Sequence, residues 1–102
     1  MQIEIKFLGI DSMYVRTAGR LDLDTAVEYG TKVKDAVEDN NIKELVLDFT
    51  EITFISSFGL KIILELFNNM KANDGKLKLK GVSEQIQNTF KMVGFDKFLD
   101  IE

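Results

Sequence analysis

Glu44-Leu45-Val46-Leu47-Asp48-Phe49 carries a continuous apolar run, Leu45-Val46-Leu47, with no polar alternation inside it. Such a run suits a central strand covered on both faces. Thr50–Ile55 reads as a connection, and a helix is expected to begin near Ser56-Ser57. Leu60, Ile63, Leu64, Phe67 and Met70 recur at helical spacing as its core stripe, and Ile62 and Leu66 widen that face. Asn73-Asp74-Gly75 is a strong stop. A strand followed by an apolar helix is the repeating unit of an α/β fold.

Upstream, Ile3, Ile5 and Phe7 alternate with Glu4 and Lys6, which predicts a half-buried strand. Gly9-Ile10-Asp11-Ser12 turns the chain, and Met13, Val15 and Thr17 alternate again. Neighbouring strands joined so briefly form an antiparallel hairpin. Gly19-Arg20-Leu21-Asp22 is expected to leave the sheet. Thr25 and Glu28 have the spacing of a capping box, and Ala26, Tyr29, Val33, Ala36 and Val37 then share one helical stripe down to about Asp39. Gly30 inside that helix costs about 1 kcal/mol relative to alanine.

Downstream, Leu77 and Leu79 alternate with lysines in a one-faced strand. Ser83 is placed to cap a third helix whose inward residues are Ile86, Phe90 and Val93, ended by Gly94. Phe95, Phe98, Leu99 and Ile101 finish the chain, with a short last strand expected. The order is β-β-α-β-α-β-α-(β). It predicts an α/β domain over residues 1–102, with a mixed four- to five-stranded sheet, an opening hairpin and about three packed helices.

Composition narrows the chemistry. The 102 residues are 45% hydrophobic and 29% charged, which suits one globular domain. The chain has no cysteine and no histidine, so thiolate nucleophiles, disulfides and the commonest general base and metal ligand are all absent. Its 13 basic and 17 acidic residues give a net charge of −4 without a basic stripe, which argues against direct nucleic-acid binding. No apolar run approaches the roughly 20 residues of a membrane helix, and the N-terminus alternates like a strand rather than a signal peptide. A cytoplasmic protein without membrane association is expected. The phosphate-cradling patterns Gly-x-x-x-x-Gly-Lys and Gly-x-Gly-x-x-Gly are missing. No cofactor, metal or catalytic residue is expected.

The informative segment is Phe54-Ile55-Ser56-Ser57-Phe58-Gly59-Leu60, at the corner where α/β proteins usually place function. A serine here is in the first instance an N-cap, its oxygen facing free backbone amides. Were it phosphorylated, the phosphate would sit where a helix start tolerates anions, adding about −1.5 to −2 charges. A nucleophilic role is disfavoured, because no base stands by and the Gly-x-Ser-x-Gly elbow is absent. Asp22 and Asp24, just before a helix, read as helix-start acids rather than an acid/base or metal pair. Phe58 is expected to be buried; exposed, it would be an aromatic anchor for a partner.

These residues resemble the STAS domain family, and within it the stand-alone bacterial anti-sigma factor antagonists. Gly19-Arg20-Leu21-Asp22-Leu23-Asp24-Thr25-Ala26 is similar to the family's Gly-x-Leu-Asp-x-x-Thr-Ala approach to its first helix. Leu45-Val46-Leu47-Asp48-Phe49 matches its central strand, Phe54–Leu60 its signature, and Phe90-Lys91-Met92-Val93-Gly94-Phe95 a late motif. The resemblance implies a regulatory binding protein, not an enzyme. It implies that Ser57 is phosphorylated, with Ser56 as a second candidate hydroxyl where the family commonly has aspartate. Asp22, Asp24, Thr25, Ser56, Ser57, Phe58 and Gly59 would form the partner surface, with Phe58 standing where serine or alanine is usual.

The implied partners are an anti-sigma factor with serine kinase activity, bound only by the unphosphorylated chain, and a phosphoserine phosphatase that restores binding. STAS-like domains also occur in sensor and transport assemblies. The alternative is therefore a small-ligand or nucleotide sensor or carrier.

Overall fold

A computed structural model describes residues 1–102. Strands β1 (Ile3–Phe7) and β2 (Ser12–Leu21) form the opening hairpin, followed by α1 (Leu23–Asp39), β3 (Glu44–Ile55), α2 (Ser57–Ala72), β4 (Lys76–Lys80), α3 (Glu84–Met92) and β5 (Asp100–Ile101). A 3-10 turn at Phe95–Lys97 precedes β5. The five strands lie in chain order, β1 antiparallel to β2 and the rest parallel. This is the expected mixed sheet with three helices.

Alternation sorts the sheet into two faces. Met13, Val15, Leu45, Leu47, Phe49, Leu77 and Leu79 are buried together beneath the helices, joined by Tyr29, Val33 and Val37 of α1 and Ile63, Leu66 and Met70 of α2. Phe90 of α3 meets Phe49 on the same face, ring centroids 6.4 Å apart. The opposite face carries Glu4, Arg16, Asp48 and Lys80 in one cross-strand row. The central strand is thus helix-covered on one face only. The Leu45-Val46-Leu47 run misleads because Val46, on the open face, is half buried among its strand neighbours.

Asp48 makes that open face hold. It is only 6% exposed and accepts hydrogen bonds from the Thr50 N–H (2.9 Å), the Thr50 hydroxyl (2.5 Å) and the Tyr14 hydroxyl. Burial works to raise its pKa, but the Thr50 and Tyr14 hydrogen bonds outweigh burial and hold the carboxyl below the usual aspartate value. The same contact raises the Tyr14 phenol.

Several expectations need correction. Thr50–Ile55 is not a connection: β3 runs on to Ile55, alongside Ala18–Leu21, which likewise stay in the sheet. Register shifts between Arg16 and Ala18 and between Gly19 and Arg20 break the period-two pattern there. The capping box is Asp22 with Thr25, not Thr25 with Glu28, because α1 starts directly after β2. Glu28 lies 3.5 Å from the N-terminal ammonium instead. Val93 faces outward because α3 has already ended at Met92. Phe7 is 56% exposed, since the helical layer stops short of the β1 edge. Gly30, costly in an isolated helix, is explained by packing: a Cβ there would lie 2.7 Å from Ile62 Cγ2 of α2.

Candidate functional site

Parallel pairing brings the site together. Leu21 and Ile55 end β2 and β3 opposite one another, so α1 and α2 start side by side at one corner of the sheet. The Ser56 backbone N–H donates to the Leu21 carbonyl at 2.9 Å, which ties the two strand ends.

Ser56 is the N-cap of α2. Its hydroxyl donates to the Leu21 carbonyl at 3.1 Å and accepts from the Gly59 N–H at 3.2 Å. Both capacities are therefore used inside the fold. Gly59 must be glycine here, because a Cβ would come within 2.6 Å of Ile55 Cγ1 and 2.7 Å of the Leu21 carbonyl oxygen. Ser57 is the first residue of the helix proper, exposed, and its hydroxyl makes no hydrogen bond within the chain. Adjacent serines thus have different chemistry: one is structurally engaged and one is free.

The neighbouring start of α1 is closed on itself. Thr25 Oγ1 accepts from the Asp22 N–H at 2.9 Å and donates to the Arg20 carbonyl at 2.6 Å, with Asp22 Oδ1 at 3.0 Å. Asp24 is exposed in the first turn, where a carboxylate complements the helix dipole. Asp22, Thr25, Ser56 and Gly59 therefore belong to the hydrogen-bonded scaffold, while Asp24, Ser57 and Phe58 are displayed around it.

Phe58 is 48% exposed, against the expectation of burial. It sits in the first helical turn, before the buried stripe Gly59, Ile63, Leu66, Met70 is established. Leu23 and Val27, four residues apart on α1, are also about half exposed. The corner thus carries apolar as well as acidic groups. Arg20 was missed by the motif reading. Its guanidinium carbon lies 4.1 Å from the centre of the Phe54 ring, and its Nε is 3.6 Å from Asp22 Oδ2. The only sequence signal was its alternation with Leu21, which the bulge obscured.

No group of three histidine, cysteine, aspartate or glutamate side chains is arranged to hold a metal, and no helix is long and apolar enough to cross a membrane. The largest cleft, about 460 Å³, runs open between α1 and α2 past Val27, Gly30, Lys34 and Ile62. None of the main clefts is lined by Ser56, Ser57 or Phe58. Ser57 and Phe58 lie on open surface outside these clefts.

A single mixed sheet in chain order, with two helix starts paired at one corner, defines the class of α/β domain to which this chain belongs. The STAS domain family model matches residues 3–102, and the chain belongs to that family. An anti-sigma-B factor antagonist of Listeria monocytogenes is 30% identical over 105 residues, an alignment that spans 100% of this chain and 89% of the relative. Among solved structures, the anti-sigma factor antagonist SpoIIAA in its unphosphorylated form superposes with a TM-score of 0.79 at 16% identity, covering 99% of this chain and 87% of that one. Bacillus SpoIIAA in its phosphorylated form gives 0.78 at 17% identity, covering 99% and 91%.

Proposed function

We propose that this chain is an anti-sigma factor antagonist that works by partner switching at Ser57. In its unphosphorylated form it binds an anti-sigma factor that is also a serine kinase, and so frees a sigma factor for transcription. Phosphorylation of Ser57 by that kinase releases the antagonist, and a phosphoserine phosphatase resets it. The chain itself catalyses nothing, and a cytoplasmic location follows from this role.

One observation carries the choice of residue: the Ser57 hydroxyl is exposed and unbonded, whereas the Ser56 hydroxyl is engaged as donor and acceptor. A kinase needs an accessible hydroxyl that is not held in hydrogen bonds within the fold. Modifying Ser56 would break the cap and the tie to Leu21; modifying Ser57 breaks nothing internal. The long-range likeness to an anti-sigma-B factor antagonist, and to SpoIIAA in both phosphorylation states, supports the same reading.

The mechanism is electrostatic. α2 has no acidic residue in its first turn, so a phosphate there meets the positive end of the helix without an internal rival. The fold tolerates the modification. A partner packed against Asp22, Asp24, Thr25, Ser56, Ser57 and Phe58 does not, because a neutral hydroxyl becomes a near-dianion in a corner that already carries two carboxylates; Gly59, expected on that surface, is buried beneath it against Ile55 and Leu21. Phe58 on α2 and Leu23 at the start of α1, both about half exposed, supply the apolar anchor.

The experiment is affinity capture from the source organism's lysate with wild type and Ser57→Glu as paired baits. Recovery of an ATP-binding anti-sigma kinase by wild type, and its loss with Ser57→Glu, is the expected outcome. Equal recovery by both baits would reduce Ser57 to an exposed helix residue. Saturable binding of a nucleotide or lipid in calorimetry, with no protein captured, would favour the ligand-carrier reading.

A further inference from the structure

Strand β1 pairs with β2 on one side and with nothing on the other. Its register fixes which backbone groups are left over. The Leu8 N–H donates to the Ser12 carbonyl at 2.8 Å, in phase with Lys6 opposite Tyr14 and Glu4 opposite Arg16. Residues facing the partner alternate along an antiparallel strand. Glu4, Lys6 and Leu8 therefore direct their backbone groups at β2, and Ile3, Ile5 and Phe7 direct theirs outward to the open edge. The side chains of Ile3 and Ile5 are only half buried, and Phe7 is mostly exposed, as is Leu8 next to it. The edge thus combines free hydrogen-bonding groups with an apolar row that the helices do not finish covering.

Charges on an edge strand ordinarily discourage pairing. Here they are arranged to select one partner. Around Ile5 the strand is self-complementary: a second copy laid antiparallel, Ile5 opposite Ile5, sets Glu4 against Lys6 and Lys6 against Glu4. The same register sets Ile3 opposite Phe7, and those are the residues whose free backbone groups face outward. A two-fold axis normal to the sheet relates the copies, so both helical layers stay on one side and the two apolar rows join. Alternative registers are penalised. A slip of two residues puts Lys6 opposite Lys6 or Glu4 opposite Glu4, and a slip of one sends the apolar row to the wrong face.

We propose that this chain self-associates through β1 into a two-fold dimer with one continuous sheet. The seam faces Met13–Thr17 across β1, whereas the functional corner lies beyond Leu21 and Ile55. Both Ser57 corners therefore remain outside the seam, and the dimer is independent of what binds there.

Sedimentation velocity on the full chain, from micromolar to millimolar concentration, provides the test. Wild type is expected to move from monomer to dimer. Glu4→Lys and Lys6→Glu each place like charges in both cross-strand pairs and should weaken the dimer about tenfold or more. An equimolar mixture of the two single variants should recover a heterodimer, and the double variant Glu4→Lys/Lys6→Glu should recover the homodimer. Circular dichroism melts on each variant confirm that the fold is retained. A wild type that stays monomeric throughout overturns the proposal. So does a dimer whose strength neither single variant changes, or a mixture that associates no better than its components.

Discussion

The two helices that start at the functional corner are built differently. α1 is capped by Asp22, with Thr25 reaching back to the Asp22 N–H, and Asp24 adds a second carboxylate in the first turn. α2 is capped by the neutral Ser56, has no acid in its first turn, and leaves Ser57 displayed. The first start already has the negative charge a helix N-terminus favours; the second lacks it. A helix start without a fixed acid is one where adding and removing a phosphate changes the surface while leaving the fold intact. On the proposed function, the fixed acids at one start and the vacant position at the other would make the corner responsive to a single modification.

Several substitutions would sharpen that contrast. The largest effect is expected from Gly59→Ala. The added methyl meets both Ile55 and the Leu21 carbonyl, and overpacking against backbone should cost about 3 kcal/mol in urea unfolding. An unchanged midpoint would mean that the two strand ends are not held as closely as described. Asp48→Ala comes next. It removes the acceptor for Tyr14 and Thr50, and hydrogen bonds to a charged group carry about 2 kcal/mol.

Asp48 also sets a sign for pH. Its carboxyl lies below the usual aspartate value in the folded chain, so the unfolded chain takes up the proton first. The stabilisation is complete above the ordinary aspartate range and is lost as pH falls through it toward the folded value. Melts on an acid series should show that loss in wild type and a flatter acid limb in Asp48→Ala. Acid sensitivity unchanged by the substitution would show that Asp48 is not its origin.

The smallest effects distinguish the serines from each other. Ser56→Ala should cost about 1 kcal/mol through the lost cap, while Ser57→Ala should stay within about 0.5 kcal/mol, as for other exposed positions. Equal losses would erase the division between the structural and the displayed hydroxyl.

Much of this architecture could be read in the residues. The Leu77/Leu79 alternation, the Ala26–Val37 stripe, the Ser83 cap and the strand-to-helix corner at Ser56-Ser57 all appear where local chemistry places them. What failed was where long-range contacts override local pattern. The ends of β2 and β3 are strands because they pair with each other, and the bulges that let them pair destroy the alternation that would have announced it. The true cap of α1 was hidden by a second residue pair with the same spacing. Phe58 was expected inside because aromatic residues usually are, but the rotation of α2 is set by Gly59 pressed against Leu21, which turns the preceding residue outward. Which of the two serines caps α2 was not legible from local pattern, since either could take the position; only the family resemblance pointed to Ser57 as the modified one. The choice of cap depends on the Leu21 carbonyl, which arrives from a strand 35 residues away in sequence.

The most direct test is site-resolved phosphorylation. Wild type, Ser56→Ala and Ser57→Ala would each be incubated with ATP and the anti-sigma kinase recovered by the wild-type bait, and the phosphate located by tandem mass spectrometry. A single phosphate on Ser57 in wild type and Ser56→Ala, with none in Ser57→Ala, is the expected result. Phosphate on Ser56, or a Ser57→Ala protein labelled as well as wild type, would contradict the assignment of the two serines.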